Sequence, residues 1–125
     1  MDLGGVRFCF VPLVGHTRGH SAVAVQAQDA WLLHCGDAYT YHGQVHPTRP
    51  RRPDYAYLTL PLMQLNKSFR VIGSHTSRLR QLLWENGDQV LLTCSHDAVE
   101  FERYSSMECS TLISLQVDQI KRGAQ

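Results

Sequence analysis

No stretch of the 125 residues approaches the ~18 consecutive apolar residues that a membrane-spanning helix requires. The opening run MDLGGVRF lacks a basic patch followed by a long apolar segment, so no signal peptide is read there. The four cysteines contain no C-x-x-C pair, and Cys9, Cys35 and Cys94 sit in apolar, strand-like runs. That placement predicts reduced thiols acting as small core hydrophobes in a cytoplasmic chain, not a disulfide framework. An excess of charge of either sign is missing too: Lys+Arg 12 against Asp+Glu 11 leaves +1. Such a balance argues against a dedicated binder of nucleic acid or acidic membranes. The densest basic stretch, RPRRPDY, is broken by prolines and reads as a solvated loop. Internal repeats and low-complexity segments are also absent.

What is present is one domain's worth of chain, spanning residues 1–125, with strand and helix signals in a clear order. VRFCFVPLV (6–14) is β-branched and aromatic with few polar positions, which predicts a well-buried strand. The glycine-rich loop GHTRGH follows. SAVAVQAQ and WLLHC, joined by a turn at Asp29, predict a hairpin with Val23 and Val25 on one face. Residues 38–56 form a long irregular excursion, a length often tied to function. YLTLPLMQLNKSF has partial helical character limited by Pro61. SHTSRLRQLLWENG is the clearest helix, with Leu79, Leu82 and Leu83 on an apolar face extended by Trp84. Ser74 or Ser77 is its expected cap, and Gly87 suits its C′ position. QVLLTC is a buried strand, followed by SHD and one or two helical turns in AVEFERY. TLISLQVDQI in the tail suits strand or helix equally.

Three chemically apt side chains lie just beyond apolar strands: His16 after VRFCFVPLVG, Asp37 after WLLHCG and His96 after VLLTCS. Rigid strands hold such residues in fixed positions and can converge them on one sheet edge. Imidazole nitrogen and carboxylate oxygen are ligands that zinc, manganese or iron accept. An aspartate has two oxygens and can bridge two ions, which together polarise a carbonyl or phosphoryl oxygen. Glycines around His16 and before Asp37 permit positive φ and close backbone approach. Gly15 and Gly19 also rule out a helical H-x-x-x-H pair of His16 and His20, so only one of the two needs to be a ligand.

GHTRGH, then HCGDAYT, then TCSHD, each at a strand end and in that order, resembles the C-terminal half of the metallo-β-lactamase superfamily. The likeness is to its glyoxalase-II-like and lactonase-like metallo-hydrolases and covers about residues 3–104. It implies an α/β (α+β) fold: half of an αβ/βα sandwich, one mixed β-sheet with flanking helices. It implies that His16 and His96 each bind one metal ion, that Asp37 bridges the two, and that His20 is a structural loop residue. The implied cofactor is zinc, one or two ions, with manganese or iron as alternatives. The implied chemistry is hydrolysis of an ester, lactone, thioester or amide in a small-molecule substrate by metal-bound hydroxide. Some lactonase-like members use a tyrosine after the bridging aspartate, which points to Tyr39 as a catalytic candidate, with Tyr41 nearby.

The family's H-x-H-x-D-H signature, which completes the metal site from the N-terminal half, does not occur in this sequence. His34, His42, His46 and His75 do not reproduce its spacing, and surface placement is expected for His42 and His46. Metal binding is therefore expected to be weak or single in a truncated chain. The sheet face that packs on the other half is expected to be exposed and apolar, inviting a homodimer or a separate N-terminal half. The competing reading is a catalytically incomplete fragment acting as an interaction module.

Overall fold

The computed structural model describes residues 2–3, 5–27, 30–52 and 68–124. Strands β1 (Asp2–Leu3), β2 (Val6–Pro12), β3 (Ser21–Ala27), β4 (Ala30–His34) and β5 (Val90–Thr93) lie side by side in chain order. The first three pairings are antiparallel and β4–β5 is parallel. Together with three helices this makes a mixed-sheet α+β fold. A parallel neighbour needs a crossover; here the chain passes through a 3-10 turn, His42–Val45, and helix α1, Ser68–Asn86, before returning as β5. Helices α2 (Ala98–Ser106) and α3 (Cys109–Gly123) follow. No helix among the described residues is long and apolar enough to cross a membrane.

Register divides the sheet into two unlike faces. Cys9, Ala24, Leu33 and Leu92 pair across one face, and Phe10, Val23, His34 and Thr93 across the other. The first face carries the core: Ala22, Ala24, Leu33 and Leu92 are buried with Val45, Leu79 and Leu83. Each fully buried leucine contributes roughly 1.5–3 kcal/mol. On the second face Phe10 is 62% exposed, and Phe8, Val23, Val25 and Leu32 are only half-buried. The VRFCFVPLV strand is therefore not well buried, and Cys9 is exposed and not a core thiol. Its apolarity on both sides marks what could be covered, while the core gathers over the strands further along the sheet. Cys35 and Cys94 are buried free thiols, as the sequence suggests. Burial pushes the Cys94 thiol up to about 12 and raises Cys35 further.

Helix α1 starts earlier than its polar signals indicate. Ser74 and Ser77 lie inside it, and the Ser77 hydroxyl donates to the Gly73 carbonyl at 3.0 Å. Leu79 and Leu83 face the core, but Trp84 is 54% exposed. Five residues beyond Leu79, it has turned away from the apolar stripe. Gly87 is not in the left-handed region; a Cβ there would lie 2.5 Å from both Ile120 Cδ1 and Leu83 O. It is glycine to let α3 approach. The ambiguous tail is helical because Gln116 Nε2 donates to the Gly87 and Val90 carbonyls at 2.7 Å each, fastening α3 beside β5. The partial helix read in YLTLPLMQLNKSF falls largely outside the described residues.

Candidate metal centre

The three strand-end residues come together. His16 Nε2 lies 3.2 Å from Asp37 Oδ2, and His96 Nε2 lies 3.0 Å from Asp37 Oδ1. The two imidazoles are 49% and 61% exposed and flank a carboxylate that is 28% exposed. Backbone hydrogen bonds explain the convergence. Cys35 N–H donates to Thr93 O at 2.7 Å and Ser95 N–H to Gly36 O at 3.0 Å, so the β4–β5 pairing runs on past both strand ends. The two loops carrying Asp37 and His96 are thus laced together.

His20 attaches the third loop. Its Nε2 accepts the Asp37 N–H at 3.0 Å. The proton must then sit on Nδ1, which donates to Leu13 O at 2.9 Å. Both ring nitrogens are committed to backbone, so His20 fastens the His16 loop to the Asp37 loop. Gly36 makes this possible: its φ is +55°, and a Cβ there would stand 2.8 Å from His20 Nε2. The positive φ that glycine permits is used at Gly36 and not at Gly15 or Gly19. A second strap, absent from the sequence reading, comes from α1. His75 Nε2 bonds to Val14 O at 2.7 Å.

The carboxylate oxygens are unequal to ordinary structural ones. Asp37 Oδ1 is buried and accepts no hydrogen bond; its approach to His96 lacks hydrogen-bond geometry. An orphaned anionic oxygen between nitrogen donors is costly unless a cation compensates it. Two imidazoles and a carboxylate are also a donor set suited to a divalent transition metal. Among the described residues, no three His, Cys, Asp or Glu side chains are grouped to hold one ion. Each histidine addresses a different oxygen of Asp37. A cavity of about 810 Å³ opens beside His96, with Leu32, Thr93 and Phe101 in its walls.

Tyr39 does not belong to this rim. It is 1% exposed, and its hydroxyl donates to Glu100 Oε1 and Oε2 at 3.0 and 3.1 Å. Burial and the neighbouring Glu100 push its phenol far above the ordinary range. A catalytic role for Tyr39 is therefore withdrawn: sequence proximity to Asp37 placed it, but the chain turns inward after Gly36. His42 is also not a free surface residue. Its N–H and Nδ1 both meet Asp97 Oδ2, at 2.6 and 2.7 Å, while Asp97 Oδ1 caps α2 through the Val99 and Glu100 N–H groups. Burial pushes the Asp97 carboxyl up, but the hydrogen bonds from His42 and Glu100 outweigh it and hold it below the usual range. The capping half of this clasp was readable, since D-A-V-E places an aspartate three residues before a glutamate.

The chain is 36% identical over 97 residues to two proteins named "Probable metallo-hydrolase", one from Mycobacterium bovis and one from Mycobacterium tuberculosis. The match covers 78% of this chain and 30% of each relative. The chain is thus similar to one part of proteins of that name, and it spans about 30% of the length of the curated relatives it matches. No protein-family profile matches it, and no solved structure matches it significantly.

Proposed function

We propose that this chain contributes one side of the active site of a zinc-dependent hydrolase of the metallo-β-lactamase superfamily. The bond cleaved is an ester, lactone, thioester or amide. His16, Asp37 and His96 are the metal ligands, and Asp37 is shared. The observation that carries this reading is the Asp37 carboxylate: each oxygen faces a different imidazole, and the buried one has no hydrogen bond. When bound, a divalent ion at this rim would lower the pKa of water and polarise the scissile carbonyl. The chain's own work is to orient its ligands. His20 and His75 fix the loop before and after His16, and the β4–β5 pairing fixes Asp37 against His96.

The remaining ligands belong to the H-x-H-x-D-H segment that this sequence does not contain. The half-exposed sheet face bearing Phe8, Phe10, Val23 and Val25 is where that half, or a second copy of this chain, is proposed to pack. Elemental analysis of protein purified without chelator tests the metal assignment. Bound zinc is expected, at substoichiometric occupancy for the isolated chain. His16→Ala and His96→Ala are each expected to weaken zinc binding at least ~10-fold, with a smaller loss for His20→Ala. Equal losses in all three would overturn the division of roles. Absence of any transition metal, even after zinc loading, would favour a non-enzymatic interaction module.

A further inference from the structure

On the helical side of the molecule a second cavity, of about 390 Å³, is lined in part by arginines from three separate segments. Arg49 and Arg51 come from the loop after the 3-10 turn, Arg103 from α2 and Arg122 from the last turn of α3. Guanidinium groups stay charged at any physiological pH. Among the described residues, none of the four meets a carboxylate within ion-pair distance, since every ion pair there joins a histidine to an aspartate. Among the described residues, the one hydrogen bond these guanidiniums make is from Arg122 Nε to the Asp118 backbone carbonyl. The single acidic residue among the described lining residues is Glu100, whose oxygens are taken by Tyr39 and the Cys94 N–H.

The cleft is built, not merely a scatter of surface arginines. The end of α3 is pressed onto the loop at 46–48: a Cβ on Gly123 would collide with Thr48 Oγ1 and stand 3.3 Å from His46 Cε1. His46 reports the resulting potential, because burial and then the charges of Arg51, Arg49 and His42 all lower its affinity for a proton. His46 Nδ1 accepts the Arg49 N–H at 3.1 Å, which leaves Nε2 as a donor. Tyr41 also lines the cleft.

We propose that this cleft binds a small, multiply charged anion of the phosphate-ester or polycarboxylate class, at a site separate from the Asp37 rim. Guanidiniums from three segments, without a carboxylate partner among the described residues, match the oxygens of such groups by charge-assisted hydrogen bonds. The volume suits a small molecule, falling within the ~300–1,000 Å³ typical of ligand pockets. The near-zero net charge of the chain argues against an extended strand of nucleic acid as the occupant. None of His16, Asp37 or His96 lines this cleft, so the proposal does not depend on the metal assignment.

Calorimetric titration of the metal-free chain with pyrophosphate and with citrate, at fixed ionic strength, tests it. Saturable one-to-one binding is expected, and the tighter of the two anions identifies the ligand class. Arg51→Gln and Arg122→Gln, both at exposed positions, are each expected to weaken binding about 10-fold. Arg78→Gln, on α1 and outside the cleft, is expected to leave it unchanged. Thermal unfolding of each variant without anion separates lost binding from lost folding. No saturable heat with either anion would overturn the proposal. So would equal weakening by Arg78→Gln, which would mean that only the net field of the molecule is felt.

Discussion

Asp37 and Glu100 are both carboxylates close to a ligand-like partner, yet their surroundings differ in kind. Glu100 is 5% exposed and accepts from the Tyr39 hydroxyl twice and from the Cys94 N–H at 2.9 Å. Asp37 is more exposed, stands between two imidazoles, and keeps one buried oxygen without a hydrogen bond. The first arrangement is closed, with each oxygen answered by protein donors. The second is open. Completed hydrogen bonding suits a residue that holds the fold, and the incompleteness at Asp37 is what its proposed role as a metal ligand would use.

The largest effect should come from breaking the open side. Asp37→Ala is expected to reduce zinc retention about 1000-fold, roughly 4 kcal/mol, because it removes the one carboxylate that both histidines face. The same change should not destabilise the metal-free chain by more than ~0.5 kcal/mol, because the buried Asp37 Oδ1 has no hydrogen bond to lose. Zinc titration followed by urea unfolding of the chelated protein separates the two. A metal-free destabilisation as large as that of a core mutation would erase the contrast with Glu100.

The closed side should respond to pH instead. Burial pushes the Glu100 carboxyl from 4.5 up to about 7, against the downward pull of its Tyr39 and Cys94 hydrogen bonds. The folded chain thus binds this proton more tightly than the unfolded chain. Its contribution is fully present below about pH 4.5 and is lost as pH rises through about 7. The shift corresponds to on the order of 3 kcal/mol. Glu100→Gln, which cannot ionise, should lack this decline. Unfolding midpoints of the two metal-free proteins across that range isolate the difference, since every other group titrates in both. Parallel curves would mean that the carboxyl is not held protonated.

The site was more legible in this sequence than the packing. His16, Asp37 and His96 each follow an apolar strand, which allows convergence on one sheet edge without requiring it, and the fold brings the three side chains together. The hairpin, the α1 helix and β5 were readable from periodicity for the same local reason. What could not be read depends on partners distant in sequence. Nothing near Tyr39 announces that Glu100 waits for it, and nothing near His42 announces Asp97. VRFCFVPLV looked buried because its composition records hydrophobicity, whereas burial depends on which face the helices cover. The TLISLQVDQI segment was undecided because β-branched residues suit both states, and the Gln116 bonds to Gly87 and Val90 lie outside any local window.

Gly36 joins the two halves of the comparison, and it offers the smallest and most discriminating change. Its φ of +55° is a conformation that an L side chain adopts only with strain, about 1–2 kcal/mol for alanine. A methyl group would also stand 2.8 Å from His20 Nε2. That ring is held by Leu13 O on one side and the Asp37 N–H on the other, so it cannot yield without loosening a strap. Gly36→Ala should therefore cost about 2 kcal/mol of stability in the metal-free chain. It should also weaken zinc binding by several-fold, because the displaced strap carries both the His16 loop and the Asp37 backbone. Urea unfolding and zinc titration of this one variant read both consequences. Lost stability with unchanged zinc affinity would show that His20 supports the fold without positioning the metal ligands.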